Sequence, residues 1–233
     1  MDIQANKPAN KLTEPAATSS DDRWVDPGQK LRYREETQDE AYRTGAYEII
    51  ETLDFAPRIA VQAGYVLCRQ ARSVLDIGCG TGELLKYLQP DIRYVGLDIS
   101  PTAIETARLR YSGRPKTDFY AANFREWRSP DDEYDCIVWA GIGRTWTRGG
   151  RKGDKRDWLE ILLSLDQYLA RDGIMVIEAT KDHWPQLSKL IAEDYQVLAG
   201  SDVDCLVNDH RAVRSARVIQ PKVTDTEGGS DNA

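Results

Sequence analysis

The fold is decided by Val74-Leu75-Asp76-Ile77-Gly78-Cys79-Gly80-Thr81-Gly82-Glu83-Leu84. The apolar side chains at its start, Val74, Leu75 and Ile77, suit a buried parallel strand. The glycines that follow let the backbone turn sharply and bring bare N–H groups close to a ligand. Because a helical pattern begins after them, the order of strand, glycine turn and helix predicts a nucleotide-binding turn.

A second apolar strand ends in a carboxylate. It is Tyr94-Val95-Gly96-Leu97-Asp98-Ile99-Ser100, and Asp98 lies about twenty residues after the glycines. In a βαβ unit, a carboxylate at this distance faces a ribose. The glycine spacing is G-x-G-x-G, and Glu83 stands where a dinucleotide-binding fingerprint has its third glycine. This departure disfavours a nicotinamide or flavin cofactor.

At these two strands the sequence resembles the class I S-adenosylmethionine-dependent methyltransferases. The resemblance implies that Asp76 and the glycine turn hold the methionine part of S-adenosylmethionine, that Asp98 binds both ribose hydroxyls and that Ile99 flanks the adenine. No metal site is expected. The expected cofactor residues are Asp76, Gly78, Cys79, Gly80, Gly82, Asp98, Ile99, Asn123, Phe124 and Trp139.

Asn123 departs from the family pattern at the end of the third strand. The family usually places an acidic residue there, which accepts a hydrogen bond from the adenine amino group. An amide oxygen can also accept that bond, and the backbone N–H of Phe124 would face the ring. The alternative is that Asn123 is an ordinary turn residue.

Composition limits the class of protein. The chain has 233 residues, enough for one α/β domain with a full core, and a formal net charge of -7. An acidic chain has no long-range attraction for nucleic acid or an anionic membrane, so both partners are disfavoured. The four cysteines have no C-x-x-C spacing, and no apolar run is long enough to span a bilayer. We therefore expect a soluble protein of the reducing cytoplasm.

The chain divides by composition into four parts. Residues 1–22 and 222–233 are polar and are expected to be flexible tails. Residues 23–72 carry two helical patterns, Gln38–Thr52 and Phe55–Arg69, and residues 73–221 form the cofactor-binding domain. In the family, the segment before the first strand commonly packs over the cofactor cleft as a lid.

Two tyrosines of this lid, Tyr33 and Tyr42, are candidate substrate contacts. The alternative is that they only pack the lid helices against the sheet.

The remaining pattern predicts an α/β fold. Strands and helices alternate from residue 74 to residue 179, with helices predicted at 83–88, 102–111 and 157–171, the last of them ended by Asp172 and Gly173. The last two strand patterns, 195–206 and 211–220, flank a turn-like stretch and form an antiparallel pair. The resemblance implies a Rossmann-like seven-stranded sheet in the order 3-2-1-4-5-7-6, with strand 7 antiparallel and helices on both faces.

The acceptor side follows the fourth strand, Tyr134–Ala140. The residues after it lack the Asn-Pro-Pro-aromatic pattern of enzymes that methylate nucleobase amines, and they lack the metal-binding carboxylate of catechol-type enzymes. A glycine-rich stretch, 143–156, then carries six basic residues. Arg144 and Trp146 are candidates to bind an anionic acceptor. The alternative is a solvated basic surface.

A loop after the fifth strand carries His183 and Trp184. Free imidazole has a pKa of about 6.5, which suits a general base at neutral pH, so His183 is the catalytic candidate. Trp184 is a candidate wall for the acceptor. The alternative is that His183 caps the following helix or lies in water.

The sequence thus predicts methyl transfer to oxygen or nitrogen of a small-molecule acceptor, expected to be a specialised metabolite that carries an anionic group. One alternative is a nucleic-acid or protein methyltransferase that grips its substrate with the basic stretch. Another is a regulatory module that binds the cofactor without turnover, and a third is a non-methyl reaction at the same site. The sequence leaves the oligomeric state open.

Overall fold

The computed structural model describes residues 38–52, 54–131, 133–141, 155–207 and 210–222. Its centre is a seven-stranded sheet with the order β3-β2-β1-β4-β5-β7-β6. The strands are β1 (Ser73–Ile77), β2 (Arg93–Asp98), β3 (Thr117–Ala121), β4 (Tyr134–Ala140), β5 (Leu169–Thr180), β6 (Tyr195–Val207) and β7 (His210–Pro221).

Strands β1 to β5 pair in parallel, whereas β7 is antiparallel to both β5 and β6. The predicted fold class, strand order and antiparallel last hairpin are therefore confirmed.

The helices cover both faces of the sheet. They are α1 (residues 38–43), α2 (Ala56–Cys68), α3 (Pro101–Arg110), α4 (Lys155–Leu165) and α5 (Trp184–Ile191). Side chains of α2 and α3, such as Val66 and Ile104, lie in one apolar core. Side chains of α4 and α5, such as Leu162 and Leu187, lie in a second core on the opposite face.

Three predicted helices are shorter than their sequence patterns. The pattern from Gln38 to Thr52 breaks after α1, because Gly45 takes a left-handed φ of +75°, and a 3-10 turn follows at Glu48–Glu51. The first crossover helix, predicted at 83–88, is only a 3-10 turn, Glu83–Lys86. The segment between the glycine turn and Pro90 is short.

The helix predicted to run to Arg171 ends at Leu165. Strand β5 begins earlier than its apolar run, where Leu169 pairs with Tyr134 of β4. Asp172 and Gly173, expected to end a helix, therefore lie inside that strand.

The topology fixes where a ligand can bind. Strands β1, β2, β4 and β5 are parallel, so their carboxyl ends at Ile77, Asp98, Ala140 and Thr180 lie along one edge of the sheet. Strand order reverses between β1 and β4, and open α/β sheets bind ligands at such a switch point. No helix in the described part of the chain is long and apolar enough to cross a membrane.

Candidate functional site

The glycine turn lies at the carboxyl end of β1, and glycine is required there for two reasons. Gly80 and Gly82 have φ values of +55° and +81°, which side-chain-bearing residues rarely adopt. A Cβ atom at Gly82 would lie 2.9 Å from Tyr111 Cε2, and one at Gly80 would lie 2.6 Å from the hydroxyl oxygen of Tyr42. The turn is therefore closely packed on both sides.

Asp98 is buried at the end of β2 and faces the turn. Its Oδ2 accepts a hydrogen bond from the Gly80 N–H over 2.9 Å, and its Oδ1 accepts one from the Ser100 N–H over 2.9 Å. Burial raises the pKa of this carboxyl, while the two N–H donors act in the opposite direction. Each carboxylate oxygen keeps a lone pair for a further donor, so Asp98 can still accept bonds from vicinal hydroxyl groups.

Asp76 is a second buried carboxylate beside the turn. The Tyr94 hydroxyl donates to its Oδ2 over 2.7 Å. Burial raises the pKa of Asp76 to about 7, with a smaller contribution from the negative charge of Asp98. A buried carboxyl that titrates near neutral pH would favour a cationic ligand, because a nearby positive charge stabilises its ionised form.

The segment 38–51 covers this site. Tyr42 is the residue over Gly80, and burial together with the charge of Asp98 raises the pKa of the Tyr42 phenol well above its usual range. Its ring centroid lies 4.6 Å from that of Tyr47. Tyr42, a predicted substrate contact, thus lies directly on the glycine turn.

Two polar contacts attach the segment to the domain. Asp39 Oδ1 accepts hydrogen bonds from the Ser100 hydroxyl over 2.7 Å and the Thr102 N–H over 2.9 Å, at the N-terminus of α3. At its other end, Glu51 accepts from Arg110 Nη2 over 2.8 and 2.9 Å and from the Thr81 hydroxyl over 3.0 Å. The segment therefore closes one side of the site.

The predicted adenine side is more open. Ile99, Asn123 and Phe124 are half-buried, and Trp139 is buried in β4 with its ring centroid 6.4 Å from that of Phe124. The side-chain oxygen of Asn123 accepts a hydrogen bond from the Arg125 N–H over 3.2 Å. Asn123 thus stabilises a turn, and its contact with adenine stays a prediction.

A buried ionic cluster, which the sequence analysis missed, lies at the carboxyl end of β5. Glu178 Oε1 accepts from Arg214 Nε, and Glu178 Oε2 accepts from Arg58 Nε and, over 3.1 Å, from Gln62 Nε2. The exposed fractions of the Glu178, Arg58 and Arg214 side chains are 1%, 12% and 11%. We call Glu178, Arg58 and Arg214 the arginine–glutamate cluster.

His183 lies in a 3-10 turn directly after β5. Its Nδ1 is 2.7 Å from the Thr180 hydroxyl oxygen, and the residue is half-buried. A base that acts through Nε2 requires the tautomer in which Nδ1 carries the proton and donates to Thr180. The geometry permits this tautomer, and the role of His183 stays a prediction.

Trp184 lies in the core instead of on a cleft wall. Its side chain is buried, its indole N–H donates to the Ser215 carbonyl over 2.8 Å, and the Arg217 guanidinium lies 5.3 Å from its ring centroid. Because the polar atom and one ring face already have protein partners, we do not include Trp184 in the proposed site. Tyr33, Arg144 and Trp146, the other predicted substrate contacts, lie outside the described residues.

Comparisons with known proteins agree with this geometry. Residues 74–149 match the model of a family described as "Methyltransferase domain". A Mycobacterium tuberculosis protein named as a methyltransferase is 46% identical over 75 residues, which are 30% of this chain and 41% of that protein. The malonyl-[acyl-carrier protein] O-methyltransferase of a Paenibacillus strain is 38% identical over 72 residues, 28% of this chain and 26% of that protein. The matched regions thus cover less than half the length of these relatives.

A solved structure extends the likeness to the fold. The N-methyltransferase NodS of Bradyrhizobium japonicum, in complex with S-adenosyl-L-homocysteine, superposes with a TM-score of 0.58 at 16% identity, covering 82% of this chain and 96% of that one. The family match over residues 74–149 is to a methyltransferase domain, and the sheet has the strand order that the resemblance to class I S-adenosylmethionine-dependent methyltransferases implies.

Proposed function

We propose that this chain, as a class I methyltransferase, binds S-adenosylmethionine at the glycine turn and transfers the methyl group to oxygen or nitrogen of a small-molecule acceptor. The observation that carries the proposal is that two carboxylates, Asp76 and Asp98, are both buried beside the glycine turn. The Gly80 N–H of that turn donates a hydrogen bond to Asp98. Incubation with radiolabelled S-adenosylmethionine and an acceptor library, followed by detection of labelled product, tests it.

The residues present fit this cofactor. Asp98 would accept hydrogen bonds from the ribose hydroxyls, and Asp76 would face the cationic methionine end. Half-buried Ile99 and Phe124 offer apolar surface to the adenine. S-adenosylmethionine supplies a methyl group that is already activated by a positively charged sulfur.

The protein mainly has to hold the acceptor in line and exclude water. We propose that segment 38–51 excludes water through its contacts at Asp39, Tyr42 and Glu51. We assign it to the predicted N-terminal lid of residues 23–72, which precedes the predicted domain of residues 73–221.

A small-molecule acceptor is supported by the acidic chain, with a formal net charge of -7, which gives no long-range attraction for nucleic acid. The malonyl-[acyl-carrier protein] relative has a name that describes transfer to oxygen, whereas NodS is an N-methyltransferase. We therefore leave both acceptor atoms in the proposal.

Cofactor affinity should increase as the pH rises through 7. The pKa of Asp76 is about 7 without ligand, and the ammonium group of the methionine end, which S-adenosylhomocysteine also carries, would lower it. Because the ionised form binds better, the affinity falls as protons re-occupy Asp76 below pH 7. We expect Kd for S-adenosylhomocysteine to decrease by about three- to tenfold between pH 6 and pH 8.

Titration calorimetry at several pH values measures this dependence, and two buffers of different ionisation enthalpy detect the released proton. The Asp76→Asn variant retains an acceptor for the Tyr94 hydroxyl and should lose the pH dependence. An equally steep dependence in the variant would show that another group titrates.

Replacement of His183 by alanine should lower kcat at least a hundredfold, because a positioned general base contributes roughly 10²–10⁴-fold. Thr180→Val is the matched control, since it keeps the imidazole but removes its hydroxyl partner, and it should lose less activity than His183→Ala. Activity of His183→Ala within a few-fold of the unmodified enzyme would exclude the general-base role.

A further inference from the structure

The arginine–glutamate cluster contains two positive charges and one negative charge. Two arginines share one buried carboxylate, so the three groups carry a net charge of +1 with side chains at most 12% exposed. Burial of an uncompensated charge costs several kcal/mol unless a partner compensates it. A single arginine with Gln62 would already satisfy both oxygens of Glu178, so the second arginine is not explained by Glu178 alone.

The guanidinium groups also have unused donors. Both arginines bind Glu178 through Nε. Within the described ranges, their Nη nitrogens have no hydrogen-bond partner. Planar guanidinium donors of this kind match a carboxylate, which can accept two parallel bonds.

The cluster lies at the acceptor end of the sheet. Glu178 pairs in register with Ala140, the last residue of β4, and with Ala216 of β7. A Cβ added at Gly141, the next residue after β4, would lie 2.8 Å from Arg58 Nη2. The terminal nitrogen of Arg58 therefore lies against the end of the strand beside the switch point, where open α/β sheets bind ligands.

We propose that Arg58 and Arg214 form a carboxylate-binding site for the methyl acceptor, with Glu178 as the residue that positions them. This inference rests on the proposed function, and it assigns the substrate class: an acceptor with one carboxylate, whose charge of -1 balances the net +1 of the cluster. A phosphate monoester carries about -1.5 to -2 near pH 7 and matches less well.

The test uses trifluoroacetate as the probe and trifluoroacetamide as its neutral analogue, both followed by fluorine NMR with the full chain saturated with S-adenosylhomocysteine. We expect trifluoroacetate to bind at least tenfold more tightly than trifluoroacetamide. Arg58→Gln and Arg214→Gln should each weaken trifluoroacetate binding at least tenfold and leave trifluoroacetamide unchanged. Arg58→Lys, which keeps the charge, should restore part of the affinity.

The matched control is Arg217→Gln on the same strand as Arg214. Arg217 pairs with Asp202 over 3.0 Å at a site where both side chains are about a quarter to a third exposed. The Arg217→Gln variant should bind trifluoroacetate with a Kd within twofold of that of the unmodified chain. The Arg58→Gln variant should remain folded, because Glu178 still pairs with Arg214 and Gln62. If Arg214→Gln does not fold, the trifluoroacetate affinity of Arg58→Gln alone tests the carboxylate site.

Equal binding of the two probes, or unchanged trifluoroacetate binding in Arg58→Gln, would overturn the carboxylate site. Failure of the chain to bind S-adenosylhomocysteine is a separate result, and it would count against the proposed function. Inorganic phosphate is the third probe, and phosphate binding tighter than that of trifluoroacetate would contradict the assignment to a carboxylate.

Discussion

Replacement of Asp98 by alanine should weaken S-adenosylmethionine binding roughly a hundredfold. Hydrogen bonds to a charged group contribute about 1.5–3 kcal/mol each. Loss of two ribose bonds therefore costs about 3 kcal/mol or more, and each 1.4 kcal/mol is about tenfold in Kd. The substitution also leaves the Gly80 and Ser100 N–H groups without their present acceptor, which loosens the turn.

Isothermal titration calorimetry with S-adenosylhomocysteine measures this effect. Asp118→Ala is the control, because Asp118 lies on the neighbouring strand and is 52% exposed, with Arg93 as its partner over 2.7 Å. It should bind the ligand within twofold of the unmodified chain. An unchanged affinity in Asp98→Ala would refute the ribose assignment.

Replacement of Glu178 by alanine should lower the free energy of unfolding by about 3–5 kcal/mol, the usual cost of removing one partner from a buried ion pair. Two adjacent guanidinium groups, 11% and 12% exposed, would lose their only described carboxylate partner. For a chain of this size, the loss corresponds to a decrease in Tm of roughly 6–20 °C.

Urea denaturation measures the free energy, and differential scanning calorimetry gives Tm. Asp118→Ala again serves as the control, since a surface ion pair contributes only about 0–1 kcal/mol. If Glu178→Ala loses no more stability than Asp118→Ala, the cluster is not the buried charge network that the structure describes.

The sheet could be predicted because its information is local. Apolar strand patterns, the glycine turn and the antiparallel last hairpin each lie within a short stretch, and the resemblance that they carry supplied the strand order. The predicted ends of helices and strands were less accurate where contacts between strands or the conformation of a single residue determined them. Strand β5 extends back to Leu169 through its pairing with β4, and Gly45 breaks a helix that periodicity alone would continue.

The site was only half predictable. Asp98 and the glycines were predicted from their spacing along the chain, and Asp76 from the family resemblance. Arg58 and Glu178 are 120 residues apart, and no periodicity joins them. Two signals were present. Glu178 interrupts an apolar run that reads as a doubly buried strand, where a charge needs a partner, and Arg58 stands in the first turn of a helix, where the dipole disfavours a cation.

The most direct test of the central claim is calorimetric titration of the purified chain with S-adenosylmethionine, S-adenosylhomocysteine and NAD. The proposed site predicts micromolar binding of the first two ligands and no binding of NAD. Binding of NAD instead, or of none of the three, would contradict the assignment of the glycine turn and Asp98 to S-adenosylmethionine.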